Sequence, residues 1–84
     1  MFYVYVLRNP KTGALYYGFS SNLKQRFAAH QAMPKHVGWK LIYYEAYSNE
    51  QDARDRERML KQYGAARSHL KKRIMRSMGL ESAG

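Results

Sequence analysis

Tyr3-Val4-Tyr5, then ten residues to Tyr16-Tyr17-Gly18, then Arg26 and His30: this stretch decides how the chain folds. Phe2 to Leu7 alternates two sets, Phe2/Val4/Val6 and Tyr3/Tyr5/Leu7, in β-branched and aromatic residues, which is a strand pattern. Asn9-Pro10-Lys11-Thr12-Gly13 supplies turn chemistry, and Ala14 to Phe19 returns as the second arm of a hairpin. Cross-strand partners share a face, and a slip of one residue turns every side chain of one strand over. Tyr5 and Tyr16 therefore share a face only if paired residue numbers sum to an odd value, and an odd sum is expected. Gly18 lies two residues from Tyr16 and projects to that same face. A strand glycine marks either a bulge or tight crossing, or the close approach of a ligand.

Ser20-Ser21-Asn22 is a run of helix-capping residues, so a helix follows to about Gln31. Leu23 and Phe27 should face the core. Asn22, Arg26 and His30 form a second row beside them, at the rim where helix meets sheet. Residues 32–39 hold Pro34 and Gly38 and read as a loop, and Lys40 to Tyr47 is a third, aromatic-rich strand. Ser48 with Gln51 resembles a capping box that opens a helix to about Tyr63, where Gly64 is a natural stop. A last helix, about Ala66 to Ser77, aligns Ala66, Leu70, Ile74 and Met78, and residues 79–84 read as a flexible tail. The order β-β-α-β-α-α implies an α+β fold, one domain over residues 1–78 with helices packed on a three-stranded antiparallel sheet.

The composition bounds the function. The 84 residues include no cysteine, which excludes disulfides and thiolate metal sites and suits a reducing, cytoplasmic setting. The N-terminal apolar run is short and no basic segment precedes it, so neither a secretory signal nor a membrane span is expected. With 15 Lys+Arg against 6 Asp+Glu the net charge is +9, which points to a polyanionic partner, nucleic acid foremost. Nine of these bases lie between Arg54 and Arg76, against Asp55 and Glu57. Lys61, Arg67, Lys71, Lys72, Arg73 and Arg76, with Arg26, are the candidates for phosphate contacts, the alternative being a solvated helix face.

Phosphate hydrolysis usually needs a metal, so the acids matter. On a helical wheel centred on Ala53 and Leu60, Glu57 falls at the edge of the buried stripe. One carboxylate with several waters suits Mg²⁺. Lys61 at i+4 offers the alternative of a surface salt bridge. Tyr5 and Tyr16 are either sheet aromatics or proton-handling phenols. A free phenol, with a pKa near ~10, is a poor base until a neighbouring cation favours its phenolate. Arg26 is placed to supply that cation or to clamp a phosphate, and His30 to assist proton transfer. His30, His36 and His69 show no zinc spacing.

Taken together, Tyr-x-Tyr, Tyr-x-Gly, Arg-x-x-x-His and a helical Glu some thirty residues on resemble the GIY-YIG endonuclease module over about residues 2–75. Glu57-x-x-x-Lys61 and the basic run Leu70-Lys71-Lys72-Arg73-Ile74 are similar to its small stand-alone bacterial members. Here Tyr-Val-Tyr and Tyr-Tyr-Gly stand for the family's Gly-Ile-Tyr and Tyr-Ile-Gly, keeping the chemical residues. The resemblance implies a Mg²⁺- or Mn²⁺-dependent phosphodiesterase with one divalent ion that cuts one strand per active site. Tyr5, Tyr16, Arg26, His30 and Glu57 would be its catalytic residues. Tyr16 is preferred over Tyr5 for activating water, Arg26 would stabilise the transition state, and Glu57 would hold the metal. The expected substrate is DNA, branched, nicked or damaged forms included, in repair or recombination. A recruiting protein and a monomer or weak dimer are compatible with this. A nucleic-acid-binding module without turnover on the same fold is the alternative. A ribosome-associated basic protein fits the charge but not the tyrosine, arginine and glutamate arrangement.

Overall fold

The computed structural model describes residues 1–79. Its elements in chain order are β1 (Phe2–Arg8), β2 (Leu15–Ser20), α1 (Leu23–Ala32), β3 (Lys40–Tyr47), α2 (Glu50–Gln62) and α3 (Gly64–Arg73). This is the α+β arrangement that the sequence implied. The tail expected over residues 79–84 falls, past Gly79, outside the described residues.

The strands form one antiparallel sheet in the order β2-β1-β3, so β1 is paired on both sides and β2 is an edge. Between β1 and β2, Asn9 Oδ1 accepts from the backbone of Lys11 at 2.8 Å and Thr12 at 3.3 Å, and Gly13 takes φ +80°. The resulting register pairs Tyr5 with Gly18 and Leu7 with Tyr16, so paired numbers sum to 23, an odd value. On the other side β3 carries one extra residue between Tyr43, opposite Val6, and Leu41, opposite Leu7. That bulge turns Ile42 toward the core.

Alternation along β1 then divides the molecule. Val4 and Val6, both fully buried, meet Ala53 and Leu60 of α2, Leu70 of α3, and Ile74 and Met78 beyond it. Tyr5 and Leu7, equally buried, face the opposite side, where α1 lies. α2 crosses the first face and touches all three strands. Its flank toward β3 is fixed by Glu45, which accepts from Arg56 through Nε at 3.0 Å and Nη2 at 3.0 Å. Tyr43 donates to the same carboxylate at 2.7 Å, and Tyr47 donates to its other oxygen. These bonds hold the Glu45 carboxyl below the usual range even though burial alone would raise it.

Four local expectations are corrected. The cap of α2 is Asn49, whose side chain accepts from the backbone of Gln51 and Asp52, and not Ser48; Gln51 instead bonds Asp55. Asn at this position accepts from two of the free N–H groups at the helix end. Gly64 is the first residue of α3 and not a left-handed stop, because Tyr63 serves both as C-cap of α2 and as N-cap of α3. α3 ends at Arg73, and turns carry Ile74 and Met78 into the core without a continuous helix to Ser77. In α1, Leu23 and Phe27 are only half-buried along an open cleft with Tyr3, Leu41 and Tyr44, while His30, expected at the rim, is the helix's buried residue. The hydrogen bonds that His30 finds inside, described next, make that burial affordable.

Candidate active site

The site grows from the odd register. Tyr5 reaches across its partner Gly18, where an added Cβ would stand 2.3 Å from the ring carbon Cζ and 2.3 Å from the hydroxyl. The close approach at this glycine is therefore Tyr5 itself, which settles the question left open by its sequence position. Lying flat across that gap, Tyr5 places its hydroxyl 2.6 Å from His30 Nε2. Its ring centroid lies 6.3 Å from that of Tyr16, and Tyr16 in turn stands 5.2 Å from His30.

A residue that the sequence did not single out completes the cluster. His36, buried in the loop after α1, sets its Nδ1 3.0 Å from His30 Nδ1, with its ring packed between Tyr16 and Trp39. Gln31 latches this loop, donating to the Trp39 carbonyl at 2.7 Å and accepting from Gly38 N–H at 3.3 Å. Gly38 takes φ +84° to close the turn. Six residues separate the histidines in sequence and no regular element relates them, so only the folded loop could reveal the pair.

Tyr5, His30 and His36 thus form a buried hydrogen-bonded chain. Burial above all pushes the Tyr5 hydroxyl up to about 12, with Tyr16 and Glu57 adding to the rise and Arg26 opposing it. Tyr5 consequently stays a hydroxyl at neutral pH and hydrogen-bonds His30. Burial first, then the neighbouring His36 and Arg26, hold the His30 imidazole below its ordinary value, so it is neutral there. A neutral His30 has one donor and one acceptor nitrogen. If Tyr5 donates to Nε2, then Nδ1–H of His30 donates to His36; reversing both bonds gives the other state.

The charged residues approach from two helices. Arg26 stands exposed one turn before His30 on α1, and its charge is felt at both Tyr5 and His30. With Asn22 and Gln25 it lines a cleft of about 600 Å³, closed on the far side by Arg54 of α2. Arg54 stacks on the Phe19 ring at 4.2 Å and pairs with Glu50 at 2.7 Å. Because β2 is the edge strand, α2 residues on this flank wrap around it toward the tyrosine face. Glu57, one turn from the buried Ala53, is 21% exposed at its side chain and pairs with Lys61 Nζ at 3.1 Å. Lys61 Nζ itself lies 5.9 Å from the centroid of the Tyr16 ring. The carboxylate, the lysine, Tyr16, Tyr5, His30 and Arg26 are thereby gathered around one edge of the sheet.

Glu57 is a hard oxygen donor that is open to solvent. That fits a divalent ion such as Mg²⁺, which keeps most of its waters. Among the described residues no three His, Cys, Asp or Glu side chains group closely enough to form a multi-ligand metal site. The arrangement can hold a phosphate against Arg26, position water near Tyr16, and move a proton along the histidine pair.

The basic stripe is redistributed. Arg54, Arg56, Arg58 and Lys61 are each paired with a carboxylate, and Arg56 with the half-buried Glu45 on the β3 flank. Arg67, proposed as a phosphate contact, donates to the carbonyls of Leu60 and Lys61, both at 2.9 Å. It caps the C-terminal end of α2, drawn there by carbonyls left free where the helix stops. Arg73 sits near Tyr43, on the β3 side of the molecule. Lys71, Lys72, Arg73 and Arg76 are exposed. No helix among the described residues is long and apolar enough to cross a membrane.

Comparison with known proteins follows the same lines. The family model of the GIY-YIG catalytic domain matches residues 1–72. A UPF0213 protein in the ldhD 5' region of Pediococcus acidilactici is 38% identical over 68 residues, covering 71% of this chain and 68% of that protein. No solved structure matches the chain.

Proposed function

Since the chain belongs to the GIY-YIG family, a family of endonucleases, we propose that it is a Mg²⁺- or Mn²⁺-dependent endonuclease that hydrolyses DNA phosphodiester bonds. The observation that carries this reading is the gathering of Tyr5, Tyr16 and His30 on one face, with Lys61, the ion-pair partner of Glu57, beside Tyr16. Glu57 would hold the divalent ion, which supplies charge neutralisation at the reacting phosphate. Arg26, free to point into its cleft, binds a phosphate oxygen and stabilises the charge that grows there as water attacks. Tyr16, as its phenolate, takes the proton from that water and is left as the neutral phenol. It is less enclosed than Tyr5 and stands near the cation of Lys61. Tyr5 stays protonated and, together with His36, fixes His30 beside the Tyr16 ring.

Exposed Lys71 and Lys72 contact backbone phosphates, which position a duplex without reading bases. Weakly specific or structure-guided cutting, as in repair or recombination of branched or nicked DNA, follows from that. One observation favours a binding module without turnover: Lys61 at 3.1 Å already satisfies the carboxylate that the ion would use. The two readings part on Glu57→Ala, assayed on supercoiled plasmid and branched DNA with Mg²⁺ or Mn²⁺. The nuclease reading expects metal-dependent cleavage by the parent, its loss in the variant, and DNA affinity nearly unchanged. Equal cleavage by both proteins excludes the role of Glu57, and binding without cleavage by the parent favours the inactive module.

A further inference from the structure

Arg8 occupies a position meant for the core. It follows Phe2, Val4 and Val6 on the face of β1 that meets α2 and α3, where alternation calls for an apolar side chain. Its Nε is buried and, among the described residues, has no hydrogen-bond partner. Buried donors of this kind are rare in folded proteins, and a guanidinium N–H left without an acceptor is destabilising. Arg8 also stands directly opposite Lys40 in the sheet, and the turn after α3 brings Arg76 to the same place. The three cations line a cleft of about 240 Å³ with Pro10, Ser77 and Gly79 among its walls and, among the described residues, no carboxylate. None of the ion pairs described above involves Arg8, Lys40 or Arg76. Three like charges around one small cleft repel each other unless an anion joins them.

We propose that Arg8, Lys40 and Arg76 form a phosphate-binding site, separate from Arg26 and on the other face of the sheet. At roughly 30 Å³ per water, the cleft holds a tetrahedral oxyanion and a few waters. Arg8 supplies the buried, directional donor, and Lys40 and Arg76 supply the flanking charge. The ligand is a phosphate group, either free or within a nucleic-acid backbone. The second source rests on the nuclease reading and the first does not. As a backbone contact, the site would grip DNA at a distance from the scissile bond.

The test observes the Arg8 Nε–H directly, by ¹⁵N-edited NMR of the arginine side chains of the full chain. Inorganic phosphate, a short DNA duplex and sodium chloride of matched ionic strength are titrated in turn. The expected result is a saturable Arg8 shift with phosphate that chloride does not reproduce. Lys40→Gln and Arg76→Gln, both at exposed positions that leave the fold intact, should weaken it by about tenfold each, the effect of one charge-assisted contact. A duplex that moves Arg8 at far lower concentration than phosphate assigns the site to the nucleic-acid backbone. A duplex that binds but leaves Arg8 unmoved assigns it to free phosphate. No saturable shift with either probe, or a shift that chloride reproduces, overturns the proposal. None of these readouts involves cleavage, so they stand or fall apart from the role of Glu57.

Discussion

Replacing Gly18 with alanine should remove the site and much of the fold's stability together. The new Cβ would stand 2.3 Å from Tyr5 Cζ, and carbons pack at about 3.5 Å or more, so the ring must withdraw by about 1 Å. Backbone closes the other side of the gap, since the two residues are direct strand partners. Overpacking of this kind costs about 1–3 kcal/mol. Moving the ring also strains the 2.6 Å bond to His30, and a buried nitrogen left unbonded costs about 1–3 kcal/mol more. Alanine returns about 0.5–1 kcal/mol through its smaller entropy loss. The net destabilisation is about 1–5 kcal/mol, and for a domain of this size Tm falls on the order of 5–40 °C. Urea denaturation of parent, Gly18→Ala, Tyr5→Leu and the double variant forms a cycle. Most of the alanine cost should vanish in the Tyr5→Leu background, where no ring fills the gap. A Gly18→Ala protein within about 0.5 kcal/mol of the parent, near the ordinary scatter of surface substitutions, would refute the reasoning. So would a cost that is the same in both backgrounds.

Three other outcomes are expected. His30 is held below its ordinary value in the fold, while in the unfolded chain it titrates near ~6.5. The unfolded state therefore binds the extra proton first, and stability falls as pH drops from about 7 through the folded value, by at most about 1.4 kcal/mol per pH unit. His30→Gln should flatten urea-derived stability between about pH 5 and 7, and an unchanged slope there would clear His30 of responsibility. Glu45→Ala should cost about 2–4 kcal/mol, because Arg56 and two tyrosine hydroxyls lose their acceptor at once, with thermal unfolding as the measure. Lys72→Ala should reduce the salt dependence of DNA binding by about one counterion, whereas Arg67→Ala should leave that slope alone and lower stability by about 1 kcal/mol; a reversed pattern would return Arg67 to the binding surface.

The strands were legible because their chemistry is local. Lys40 to Tyr47 was readable to the residue, an aromatic run bounded by a loop on one side and Ser48-Asn49 on the other. The parity of the register was legible too, since it decided whether Tyr5 and Tyr16 could meet, while the turn set which odd sum it took. Glu57 fell where the wheel placed it, because buried Ala53 and Leu60 fix the helix rotation. Hidden from the sequence were contacts between segments with no shared period. His36 reaches His30 only because Gln31 folds the loop back. The bases of α2 looked like one free stripe until the strand residue Glu45, eleven positions earlier, took Arg56. Ser48 and Asn49 both cap helices well, and the choice between them depended on where the strand let the helix begin.

The central strand ties the fate of the site to that of the whole molecule. Val4, Tyr5, Val6 and Leu7 are all buried, with β2 and β3 hydrogen-bonded on either side, so their amides have no route to solvent short of complete unfolding. Amide hydrogen exchange at these four positions should report the global free energy. Loss of the Tyr5–His30 bond is then expected to follow the global unfolding curve.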